Sequence, residues 1–141
     1  MTKQKTIKTE FSLEGVGLHS GRKVKIRFIP GSENKGIVFQ RVDKKALPIQ
    51  INIHAISNAN FATIIGTNGS SISTTEHLMA ALLGLGIDNI FIEVGGPEIP
   101  ILDGSASEFV TALMETGIKT LPADKEFVEV SEPINVHLED S

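Results

Sequence analysis

Four of the 141 residues are histidine, at positions 19, 54, 77 and 137, and none is cysteine. Without a thiol the chain offers no thiolate metal site, cysteine nucleophile or disulfide framework, and its default setting is a reducing compartment, the cytoplasm. His19, His54, His77 and His137 form no HxH, HxxxH or HExxH with one another, and the third and fourth positions after His77 are Ala80 and Ala81. A zincin helix is excluded, and no complete metal site is readable locally. The adjacent pair Glu76-His77 reads two ways by residue type: a carboxylate able to take a proton beside an imidazole able to hold a metal, or a surface or capping pair at a helix start. Gly15-x-Gly17 is too short for a dinucleotide fingerprint and reads as a tight turn at Gly15-Val16-Gly17.

The elements that must position this pair follow from the hydrophobic period. Thr6 to Glu14 reads as extended, Arg22 to Ile29 alternates strictly up to Pro30-Gly31, and Gly36 to Val42 follows a polar turn. Ile49, Ile51 and Ile53 alternate with Gln50, Asn52 and His54, which puts that histidine on a polar strand face, and Phe61 to Gly66 makes a short apolar strand. Together they predict an α+β domain with one largely antiparallel sheet of about five strands. Ile90 to Val94 reads as a further strand, and Phe127 to Val130 and Ile134 to Leu138 as two more, the last carrying His137 on its polar face.

The period changes at Thr74 to Leu85, where Leu78, Ala81, Leu82 and Leu85 fall at i, i+3, i+4 and i+7, a helix with one buried face ended by Gly84 and Gly86. A second helix runs from Ser105 through Phe109, Val110, Leu113 and Met114 to Gly117. Both open with Ser-x-x-Glu, Ser73 to Glu76 and Ser105 to Glu108, the pattern in which the Glu returns to the N-cap amide. For Glu76 two roles therefore compete. It either closes its own helix cap, or it points outward beside His77 toward a site beyond the helix N-terminus, where N–H groups and the helix dipole favour negative charge.

Composition bounds the partners. Hydrophobic residues make up 40% and charged residues 21%, ordinary for one globular domain with a real core. Eleven of the 13 basic residues stand in the first 45 positions against four acids, so that part is +7 and the rest −11. Lys23, Lys25 and Arg27 alternate with Val24, Ile26 and Phe28 as the wet face of one strand does, and no nucleic-acid partner is expected. The longest nearly apolar run, Leu78 to Ile87, is broken by two glycines, so neither a membrane span nor a signal peptide is expected.

Four stretches in order, Gly15-Val16-Gly17-Leu18-His19-Ser20-Gly21, Ser73-Thr74-Thr75-Glu76-His77-Leu78-Met79-Ala80-Ala81-Leu82, Gly86-Ile87-Asp88-Asn89 and Glu98-Ile99-Pro100-Ile101-Leu102-Asp103-Gly104-Ser105, resemble the first domain of the UDP-3-O-acyl-N-acetylglucosamine deacetylases, bacterial zinc enzymes of lipid A synthesis. The resemblance runs over nearly the whole chain. It implies two domains of like topology, each a sheet with two helices packed on one face (ribosomal S5 domain 2-like), with the active site between the helix layers. Residues 1–123 would be the first domain and 124–141 the linker and first strands of a second, truncated one.

Position by position, the resemblance implies a general base at Glu76 and one Zn²⁺ ligand at His77. His19 would lie near the metal site, and Asp103 would take a supporting or structural role. The remaining zinc ligands would come from a His-Lys-x-x-Asp helix in the second domain, which this sequence lacks. The implied activity is removal of acetyl from UDP-3-O-acyl-N-acetylglucosamine, with the isolated chain expected to be inactive and to self-associate through uncovered helix faces. The competing expectation is an α+β domain that kept the fold, lost catalysis and serves as a partner-binding module.

Overall fold

A computed structural model describes residues 2–67 and 69–136. Its centre is a five-stranded sheet in the order β2 (Phe11–Val16), β3 (Lys23–Pro30), β8 (Ile90–Val94), β4 (Ile37–Arg41), β5 (Ile49–Gln50), in which only the β4–β8 pair is parallel. Two antiparallel pairs flank it, β1 (Lys3–Ile7) with β9 (Ile118–Asp124) and β6 (Ile56–Asn58) with β7 (Ile64–Ile65). The helices are α1 (Glu76–Leu85) and α2 (Ser107–Thr116).

The alternation in β3 and β8 builds the inner face. Ile26 lies opposite Val94 and Phe28 opposite Ile92, all buried, and Phe39 completes the row across Ile92. Phe11 stacks on Phe28 with ring centroids 4.5 Å apart. Leu78, Ala81 and Leu82 of α1 and Phe109 and Leu113 of α2 join the same core. On the outer face Arg27 bonds Glu10 at 2.7 Å and Glu93 at 3.2 Å, so the basic strand is covered by acids. Arg41 is the exception. It falls on the inner face, and its guanidinium is satisfied by Asp43 and by the Ser71 carbonyl.

The strand pattern corrects several expectations. Thr6 to Glu14 is not one strand: β1 and β2 belong to different sheets, separated where the Lys8 N–H turns to the Gly117 carbonyl. Alternation at Ile49–Ile53 yields strand only at Ile49–Gln50, because the Asn52 side chain accepts the His54 N–H at 2.8 Å and closes a turn, leaving His54 exposed in a loop. Phe61–Gly66 is strand only at Ile64–Ile65 and lies outside the main sheet, whose fifth strand is β8. No strand forms within 127–136, and His137 and Leu138 lie outside the described residues. The turn after β2 spans Gly17–Gly21, with Gly15 and Val16 still in the strand.

Gly86 ends α1 in the left-handed conformation (φ 67°), as a C′ glycine does, whereas Gly84 lies within the last turn. The capping box expected at Ser105 is replaced by a relay. Asp103 accepts the Ser105 N–H at 2.9 Å, the Ser105 hydroxyl accepts the Ser107 N–H at 3.0 Å, and α2 starts at Ser107, one residue later than a Ser105 cap would give. No helix among the described residues is long and apolar enough to cross a membrane.

Candidate functional site at the amino-terminal end of α1

Ser73 does not cap α1. It is bridged to the 97–99 segment, its N–H donating to the Pro97 carbonyl at 2.9 Å and its carbonyl accepting from Ile99 at 3.0 Å. Thr74 then turns into the left-handed region at φ 58°, a conformation costly for a β-branched residue, of order 1–3 kcal/mol. Helix begins only at Glu76, with Thr75 as N-cap and no side-chain capping bond. Of the two roles open to Glu76 the cap is therefore not made, because bridge and turn consume the residues that would make it.

Glu76 uses its carboxylate elsewhere. Its Oε2 accepts the Thr63 N–H at 2.9 Å, while the Thr63 carbonyl accepts from the Thr75 hydroxyl at 3.1 Å and from the Thr75 N–H at 3.3 Å. Both backbone polar groups of Thr63 are thus held by two consecutive residues at the start of α1. Glu76 Oε1 lies 4.0 Å from His77 Nε2, near but beyond hydrogen-bond range, and the His77 side chain is 30% exposed.

His19 reaches the same end of α1 by its backbone. Its N–H donates to Glu98 Oε1 at 3.0 Å and that of Ser20 to Oε2 at 2.8 Å, and the Thr74 hydroxyl donates to Oε1 at 2.9 Å. The His19 side chain is exposed at a groove of about 360 Å³ that Phe61, Ala62 and Ser73 also line. Gly17 makes this approach possible, since a Cβ there would lie 2.3 Å from Glu98 Oε2. Asp103 is fixed by Ser105, whose N–H and hydroxyl hold its carboxyl below the usual range, with a smaller contribution from nearby His77.

Spacing and residue type give Glu98 no role in the sequence, where it is only the first residue of the stretch Glu98 to Ser105. The signal was there in its composition: one carboxylate enclosed by two prolines and an isoleucine. It is 1% exposed. Burial by itself would raise its pKa, but the donors from His19, Ser20 and Thr74 outweigh burial and hold it below the ordinary value near 4.5. The unfolded chain then binds this proton more readily, so the stabilisation is complete above about pH 4.5 and is lost as pH falls through the folded value. Glu98→Gln is expected to flatten the fall of unfolding free energy below that pH, measured by urea titration at stepped pH. An unchanged slope would show that other carboxylates carry the acid response.

Among the described residues no group of three or more His, Cys, Asp or Glu is placed to hold a metal. His77 fits one ligand position of a metal centre, with a partly open imidazole and a carboxylate alongside. It does not make a complete centre. The arrangement brings Glu76 and His77 together, places Asp103 within electrostatic reach of His77, and ties the His19 turn to the same helix end through Glu98.

The family model described as LpxC: UDP-3-O-acyl N-acetylglycosamine deacetylase matches residues 4–141. The chain is 44% identical over 134 residues to the UDP-3-O-acyl-N-acetylglucosamine deacetylase of Syntrophus aciditrophicus (strain SB), covering 94% of this chain and 42% of that protein. It is 44% identical over 144 residues to the deacetylase of the same name from Wigglesworthia glossinidia brevipalpis, covering 99% of this chain and 48% of that protein. The chain thus spans less than half the length of these relatives. With a match over nearly all its residues, a two-helix α+β fold and the Glu-His pair at the open end of α1, the chain belongs to the UDP-3-O-acyl-N-acetylglucosamine deacetylase family.

Proposed function

We propose that this chain is the amino-terminal half of a zinc-dependent amidohydrolase that removes acetyl from UDP-3-O-acyl-N-acetylglucosamine in lipid A biosynthesis, with Glu76 as general base and His77 as the zinc ligand this half contributes. The observation that carries the reading is the Glu76 carboxylate turned away from its own helix cap and held by the Thr63 N–H, beside the open imidazole of His77. A bound zinc ion would supply Lewis-acid polarisation of the acetyl carbonyl and of water. The chain's own part is positional and acid–base. Thr63 holds Oε2, which leaves Oε1 to take a proton from water. The free N–H groups and dipole at the start of α1 favour the negative charge that develops on the acetyl oxygen. His19 lines the adjacent groove, and Asp103 stands within electrostatic reach of His77 while anchoring the start of α2.

Residues 1–123 make up the first domain in this reading, and the remaining zinc ligands come from outside the chain. A catalytic zinc centre takes about three protein ligands. The chain alone is therefore expected to leave gel filtration with zinc far below one per molecule and to show no turnover, whereas mixing with the polypeptide that completes it should restore about one zinc per pair. Metal analysis of the two samples checks this. Stoichiometric zinc in the chain alone would overturn the shared-site reading, and His19 would be the first residue to test as a substitute ligand.

A further inference from the structure

The buried carboxylate of Glu98 takes no part in the chemistry above, yet it joins two segments that do. Its oxygens accept from the His19 and Ser20 amides on one side and from the Thr74 hydroxyl on the other. Thr74 is a β-branched residue at φ 58°, a conformation that persists only where its surroundings impose it. Two constraints do so here: the Ser73 bridge to Pro97 and Ile99 before it, and the Glu98 bond to its own hydroxyl. Immediately after it, Thr75 and Glu76 grip Thr63 from both sides. The path runs unbroken from Glu98 through Thr74 to the orientation of Glu76. A right-handed helical residue at position 74 would let the helix start there, with Ser73 as N-cap, and return Glu76 toward the cap amide, as its Ser-x-x-Glu spacing favours.

We infer that Glu98 is a positioning residue: by holding Thr74 in the left-handed conformation it turns Glu76 out of its helix cap and against Thr63, and by holding the His19 and Ser20 amides it seats the His19 turn against the same helix end. The inference rests on Glu76 acting as the base. In the zinc-loaded full-length enzyme, Glu98→Gln keeps the side chain's shape but puts an amide where the carboxylate accepts at both oxygens. It should lower kcat about tenfold or more, with zinc content at the parent level, as a displaced catalytic group does.

Thr74→Val keeps the bulk and loses the hydroxyl. It should repeat the loss, and it serves if Glu98→Gln does not fold. Glycine adopts positive φ without help, so adding Thr74→Gly to Glu98→Gln should bring kcat back to within about threefold of the parent, a rescue that a merely structural brace would not show. Hydrogen exchange of the 61–66 segment reads the Thr63–Glu76 bond directly. It should speed up in Glu98→Gln and Thr74→Val and slow again in the glycine double variant, with β8 unchanged.

Turnover near the parent level in both single variants would overturn the inference, as would a loss that glycine does not restore while the 61–66 segment stays protected. Glu76→Gln, run alongside, separates the two readings. If it retains turnover the base assignment falls, and exchange at 61–66 still decides whether Glu98 holds Glu76 in place.

Discussion

Replacing Glu76 by Gln in the complete enzyme is expected to cut turnover by about 10²–10⁴-fold, the usual worth of a positioned general base, while zinc content and the thermal midpoint stay near the parent values. The split follows from what the side chain touches. The Thr63 N–H donates to one carboxylate oxygen, and the amide oxygen of Gln accepts that bond equally well. No capping bond is lost, because none is made. The amide cannot take a proton from water, so the change falls on chemistry and spares the fold. Glu76→Ala removes the acceptor too, leaves the Thr63 N–H without it, and should cost about 1 kcal/mol of stability besides. Near-normal turnover in Glu76→Gln, measured with the thermal midpoint on the same preparation, would leave Glu76 a structural residue whose only work is to hold Thr63.

Sequence spacing located this pair but misread what surrounds it, and the reason is physical. Ser-x-x-Glu is a local signal, worth about 1 kcal/mol as a cap, and at Ser73 it competes with a bridge to residues 97–99 that no local pattern reveals. At Ser105 the same signal lost to Asp103, whose carboxylate takes the Ser105 N–H that Glu108 would have bonded, while the Ser105 hydroxyl takes the Ser107 N–H. The apolar stripes of both helices were legible because Leu78, Ala81, Leu82, Phe109 and Leu113 all face one core, and β3 and β8 because their alternation is long and unbroken. The β1–β9 pair was not legible. It joins residues near the two ends of the described chain, in register Lys5 with Thr120, and β9 carries Pro122, which belongs in a strand only at an edge.

The site divides along the same line. Glu76 and His77 are neighbours in sequence, so their proximity needed no fold, and their chemical types suggested acid–base and metal work. Family resemblance, carried by motifs in register, added His19 and Asp103. Glu98 escaped both, since a carboxylate is expected at the surface and its burial depends on donors about 80 positions earlier in the chain, at His19 and Ser20. A buried charge becomes tolerable only once those donors arrive, which is a property of the folded turn and not of the segment that carries the charge.

The second large effect is expected at His77. In the complete protein His77→Ala should weaken zinc binding by more than about 100-fold, because even the partners that merely orient a ligand typically cost 10–100-fold when removed and His77 is assigned to the metal itself. The fold should survive, since the ring packs half-open at the start of α1 and lies 4.0 Å from Glu76 Oε1, too far for a bond the helix depends on. Asp103→Asn and His19→Ala give the contrast. Asp103 spends its carboxylate on Ser105 and reaches His77 only through charge, and His19 is tied down by its amide and not by its ring. Both should therefore weaken zinc binding by no more than about tenfold, at the low end for an outer partner. Chelator competition on the three variants, with circular dichroism on each, ranks them. A His77→Ala protein that kept zinc within tenfold of the parent, or an Asp103→Asn protein that lost more than His77→Ala did, would transfer the ligand assignment away from His77 and leave Glu76 without the neighbour that its proposed chemistry requires.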